Sequence, residues 1–214
     1  MDLWGRHRQR CMQLLRDALV SLATGPAEES EVDLNRRLYQ SIVAAEHAEA
    51  VRNGGQQLPV VVPEGHNPPV GSDAERVARE HKVPDFYWAY IDHLSPVPKD
   101  AARQFVVECK RLTTASKSWD YTDQYVEAGV QRFITIEHAY GKEASSGAMV
   151  GYLQAMNAEE ALKAVNGSAS VRKIPTLTLR QQTKNGPIEL DHELSRPFPI
   201  TPFSLLHFWI CCSA

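Results

Sequence analysis

Residues 104–112 read QFVVECKRL, an apolar, β-favouring run that takes an acid and a lysine into its second half. Side chains two apart on a strand share a face. Glu108 and Lys110 therefore project together with Val106 and Leu112, while Phe105, Val107 and Cys109 face the other way and can pack on a helix. Charges on a buried sheet face are costly unless something pairs with them. A fold built on this strand must supply a partner for Glu108 and Lys110, and a divalent cation such as Mg²⁺ is one, because carboxylates are hard oxygen ligands.

The E-x-K triplet alone marks nothing. Glu80-His81-Lys82 has the same spacing but falls at the expected end of a helix, where water solvates it. The second triplet differs in context, because it ends an apolar strand and the preceding strand, FYWAYID, is opened by Pro84-Asp85. "LSPVPKDA" turns the chain between the two, so a hairpin is expected. In that hairpin Asp85 reaches the same place as Glu108.

Apolar periodicity organises the rest. Leu3, Cys11, Leu14, Leu15, Ala18, Leu19 and Leu22 predict an amphipathic helix over 2–23, stopped by Gly25-Pro26. Leu34, Leu38, Ile42 and Ala45 predict a second helix after Ser30, running to about residue 51. "LPVVVPEG" is bounded by prolines and reads as an edge piece or loop. A short helix is expected from Ser72 to about His81, and a long one over 119–139 on Tyr121, Tyr125, Val126, Val130, Phe133 and Ile134. "GAMVGYLQA" (147–155) reads as a buried strand, and Asn157 as the cap of a helix through Ala164. "IPTLTLRQQ" and "GPIELDHEL" form a hairpin, and the apolar run at 203–212 forms a last strand, offered as an edge or an interface. The expectation is an α/β domain with a mixed sheet flanked by helices.

With these elements in place, "PDFYWAYID … QFVVECKRL" resembles the motif of the PD-(D/E)xK nuclease superfamily, the restriction-endonuclease-like fold. The resemblance covers about residues 30–155 and implies an αβββαβ core within a single domain over 1–214. Helix 2–23 and the strands within 174–212 would elaborate that core. It implies a Mg²⁺-dependent nuclease (Mn²⁺ as a substitute) that hydrolyses phosphodiester bonds of nucleic acid, double-stranded DNA rather than RNA. Asp85, Glu108 and Lys110 would be catalytic. Asp85, Glu108 and the backbone carbonyl of Cys109 would hold the metal, with Glu31 as a further acid from the first core helix and Glu46 as the weaker candidate. Lys110 would orient the attacking water and offset charge on the phosphate. Gln124, Tyr125, Gln131 and Arg132 could face phosphates, although Tyr125 reads better as core.

Composition limits the alternatives. Lys and Arg number 23 against 26 Asp and Glu, a net charge of −3, where a general nucleic-acid binder is usually basic. Basic clusters at Arg6, Arg8 and Arg10, at Arg36-Arg37, at Lys110-Arg111 and at Arg172-Lys173 read as solvated faces. A protein partner or a homo-oligomer is therefore expected to supply substrate recognition, as in bacterial defence or restriction systems. The other reading is a non-catalytic, nuclease-like scaffold that binds its complex through helix 2–23 and the apolar run at 203–212. The four cysteines form no C-x-x-C pair and no zinc spacing, so a reduced, cytoplasmic protein is expected. No apolar core follows Met1, and the longest apolar run is half the ~20 residues a membrane span needs. "LDHEL", with Asp191, His192 and Glu193, reads as a solvated hairpin. Neither a phosphate loop nor a nucleophile elbow occurs.

Overall fold

The computed structural model describes residues 3–25, 30–55, 58–66, 82–98, 101–114, 120–182, 184 and 186–212. Helices α1 (Leu3–Ala23) and α2 (Glu31–Arg52) come first, followed by strands β1 (Val61–Pro63), β2 (Phe86–Ile91) and β3 (Ala102–Leu112). Helix α3 (Tyr121–Glu127) and a 3₁₀ turn (Val130–Phe133) lead to β4 (Ser146–Leu153) and α4 (Ala158–Val171). Strands β5 (Thr178–Gln182), β6 (Ile188–Leu194) and β7 (Phe203–Cys211) complete the order. The helix expected over 72–81 lies outside the described residues.

The strands form one mixed seven-stranded sheet in the order β1-β2-β3-β4-β7-β6-β5. β4 is parallel to both β3 and β7, and the other pairs are antiparallel. One face packs on α1 and α2, joining Leu15, Leu19, Leu34 and Leu38 to Phe105, Val107, Cys109 and Phe208. The opposite face packs on α3, the 3₁₀ turn and α4, joining Val126, Phe133 and Val165 to Val106, Leu112, Met149 and Trp209. β3 thus divides its side chains between the faces as the alternation predicts. The hairpins β2–β3 and β5–β6 form as expected, and Ser30 caps α2 by accepting from the Asp33 amide.

Three expectations are corrected. The helix expected over 119–139 stops at α3, because the chain turns at Gly129 into the 3₁₀ turn. A Cβ at Gly129 would lie 2.3 Å from the Tyr125 carbonyl oxygen, so the turn needs glycine. α4 runs past Asn166-Gly167 to Val171, because the Asn166 side chain bonds the amide and carbonyl of Leu177 rather than ending the helix. β7 is neither an edge nor an exposed interface, because it lies inside the sheet between β4 and β6, buried over most of its length. No helix among the described residues is long and apolar enough to cross a membrane.

Candidate active site at the end of strand β3

The β2–β3 register pairs Phe86 with Val107, so one step further places Asp85 across from Glu108. Asp85 is fixed from two sides. Its Oδ2 accepts from the Cys109 amide at 2.7 Å and its Oδ1 from Asn35 Nδ2 at 3.0 Å. Asn35 Oδ1 in turn accepts from the Tyr152 hydroxyl at 2.8 Å. Burial raises the Asp85 pKa against the opposing pull of Lys110 and the Cys109 amide.

Glu108 is fully buried. Its Oε1 accepts from Arg132 Nη1 at 2.6 Å and lies 3.0 Å from Lys110 Nζ. Its Oε2 is buried with no hydrogen-bond partner among the described residues. Burial, then the charge of Asp85, push the Glu108 pKa up to about 8, despite both cations.

Lys110 Nζ lies at the centre of an oxygen set. It donates to Glu31 Oε1 at 3.0 Å and to the Cys109 carbonyl at 2.7 Å, besides its contact with Glu108. Burial works against its charge, but Glu108, Asp85 and Glu31 outweigh that and raise its pKa. Glu31 opens α2, where the helix dipole favours an acid, and its Oε2 also accepts from the Arg111 amide at 3.1 Å. A groove of about 390 Å³ beside the set is lined by Glu31, Lys110, Arg111, Tyr121, Gln124 and Ala128. The Arg111 guanidinium stacks over the Tyr121 ring at 4.9 Å.

Asp85, Glu108, Lys110, the Cys109 backbone and Glu31 are therefore gathered at one place. Glu46 is not: this glutamate is buried elsewhere, its Oε1 accepting from the Val61 amide and Trp88 Nε1. Tyr125 is core, and its hydroxyl serves a buried chain of rings. Arg132 meets Glu108, a role that the expected helix concealed. Asn35 was also overlooked, although it lies one helical turn after Glu31 and so shares its face. In "LDHEL" the solvated reading holds for Asp191 and Glu193 but not for His192, which is buried and bonded to His207 and to the Pro175 carbonyl. Lys82 of the other E-x-K triplet pairs with Glu137 at 3.2 Å, while Glu80 and His81 lie outside the described residues.

Among the described residues no group of three or more His, Cys, Asp or Glu side chains stands together as a metal-binding cluster. The Lys110 ammonium lies between one oxygen of Glu31 and one of Glu108. No protein-family model, no curated protein and no solved structure matches the chain.

Proposed function

We propose that the protein is a metal-dependent nuclease of the PD-(D/E)xK type that hydrolyses phosphodiester bonds of nucleic acid, double-stranded DNA in the first place. The observation that carries this reading is the gathering of Asp85, Glu108, Glu31 and Lys110 at one end of β3, with one Glu108 oxygen buried and unpartnered among the described residues. The order α2-β1-β2-β3-α3-β4 also suits an αβββαβ core.

The donor set fits a divalent cation. Carboxylates and a backbone carbonyl are hard ligands, and Glu108 Oε2 has capacity to spare. Asp85, Glu108 and the Cys109 carbonyl would hold Mg²⁺ or Mn²⁺, with Glu31 alongside. When bound, such a metal lowers the pKa of water and polarises a phosphate oxygen. Asn35 and the Cys109 amide hold the Asp85 carboxylate in one orientation. Lys110 supplies a fixed positive charge for the attacking water and the phosphate. Arg111 and Gln124, in the adjoining groove, provide donors for the substrate backbone. With a net charge of −3, the chain is read as working with a partner or a second copy that brings the nucleic acid, as in defence systems.

The test is incubation with supercoiled plasmid, linear duplex and single-stranded RNA in Mg²⁺ or Mn²⁺, with Glu108→Ala in parallel. Nicking or linearisation by the natural protein alone is expected. Equal cleavage by the variant would assign the activity elsewhere.

A further inference from the structure

Glu108 is met by two cations that are held very differently. Lys110 Nζ is tied to three oxygens, those of Glu31, Glu108 and Cys109. Arg132 reaches Glu108 Oε1 from the 3₁₀ turn, with its guanidinium 6.0 Å from the Tyr140 ring centroid. The side-chain exposures are 1% for Glu108, 13% for Lys110 and 28% for Arg132. Arg132 is therefore the more exposed of the two, and beyond Glu108 its guanidinium bonds only the Tyr140 side chain among the described residues.

Charge gives the arrangement a direction. Asp85, Glu108 and Glu31 set three carboxylates against Lys110 and Arg132, leaving one negative charge when all are ionised. A divalent cation alone would reverse that to one positive charge, with Lys110 and Arg132 both repelling it at short range and Arg132 the more exposed of the two. A phosphodiester carries one negative charge, which restores neutrality and is a good partner for a guanidinium. The backbone of the turn does not depend on the Arg132 side chain, since Arg132 N donates to the Gly129 carbonyl and Arg132 O accepts from the Tyr140 amide.

We propose that Arg132 is a guard on the metal position: its guanidinium holds Glu108 until a substrate phosphate draws it off, so metal and nucleic acid bind cooperatively. This rests on the nuclease reading above. Arg132 is thus a positioning residue that acts through Glu108, and binding linkage makes its effect reciprocal.

Mn²⁺ binding to the full chain, followed by the loss of the free-ion electron paramagnetic resonance signal, tests this with and without a short phosphorothioate duplex. In the natural protein the duplex is expected to tighten Mn²⁺ binding roughly tenfold, within the usual range for coupled sites. Arg132→Ala is expected to bind Mn²⁺ more tightly without duplex and to lose most of the response to it. Arg132→Lys, which keeps a cation, should retain part of that response and guards against a folding defect in the alanine variant. Mn²⁺ binding by Arg132→Ala no tighter than that of the natural protein, or a full duplex response in that variant, overturns the guard. Glu108→Ala separates the two readings. If it abolishes Mn²⁺ binding while Arg132→Ala changes nothing, the guard alone fails. If it binds Mn²⁺ as the natural protein does, or if the natural protein binds none even with duplex, the nuclease reading fails as well.

Discussion

Glu108 of β3 and His207 of β7 lie in one row across the sheet, separated by Met149 of β4, and their polar atoms are served in opposite ways. His207 belongs to a closed chain. Trp209 Nε1 donates to the Tyr125 hydroxyl at 2.9 Å, that hydroxyl meets His207 Nδ1 at 2.7 Å, and His207 Nε2 meets His192 Nδ1 at 3.1 Å. His192 Nε2 ends the chain on the Pro175 carbonyl at 2.7 Å. An indole can only donate and a carbonyl can only accept, so with both rings neutral each proton has one place to be. Every listener has a speaker, and no charge is needed. Glu108 instead has, among the described residues, two cations crowded on one oxygen and none on the other. A buried polar network that closes on itself specifies the core; one with an oxygen left over carries an unmet desolvation cost.

Changes at the open network should act on chemistry. Glu108→Ala or Lys110→Ala is expected to lower Mg²⁺-dependent cleavage by roughly two to three orders of magnitude, measured on plasmid with folding checked by circular dichroism. Full activity in both variants would remove the basis for the comparison. Changes at the closed network should act on stability. Tyr125→Phe leaves Trp209 Nε1 and His207 Nδ1 without their shared partner, at a cost of about 1–3 kcal/mol for each buried group, read by urea unfolding, while Mn²⁺ binding stays as before.

The two networks also predict opposite pH slopes. The His192 pKa is lowered to about 4 by burial, against an ordinary 6.5, and burial also holds His207 well below its ordinary value. The unfolded chain therefore takes up protons first, and stability present above pH 6.5 is lost as pH falls towards 4. Glu108 is raised from 4.5 to about 8, so its contribution is complete below 4.5 and is lost as pH rises through 8. Between pH 6.5 and 8, in chelator, Glu108→Gln should flatten the fall in stability, whereas Tyr125→Phe should leave that slope unchanged. Matching slopes in the natural protein and Glu108→Gln would show that Glu108 is ionised throughout. The smallest effect is a control away from both networks. Gly167 lies inside α4, and a Cβ there would meet nothing within 4 Å. Gly167→Ala should stabilise by about 0.5–1 kcal/mol without altering metal binding, and a destabilised variant would show that α4 needs the glycine.

Much of the frame was legible because it follows local rules. Alternation set the two faces of β3, Ser30 marked the start of α2, and the apolar spacing marked α1. Asp85, Glu108 and Lys110 were legible as a group because a hairpin brings its two strands into register. Alternation could also have placed His192 indoors, two residues from Leu190 and from Leu194, both buried. Arg132 was hidden because an apolar period that suits one long helix also suits a short helix, a glycine break and a 3₁₀ turn. β7 was misread as an edge because nothing in an apolar run states which neighbours its two hydrogen-bonding sides will find.

The sequence by itself determined most of the elements, the two faces of β3, and the pairing of a carboxylate with a lysine on one strand face, all of which follow from spacing along the chain. The tertiary structure alone decided that Glu31 closes on Lys110 and that Arg132 closes on Glu108. It also decided that Glu46 turns away to Trp88 and that β7 enters the middle of the sheet. These depend on contacts between residues far apart in the chain. Long-range packing sets such contacts, and local preference leaves them open.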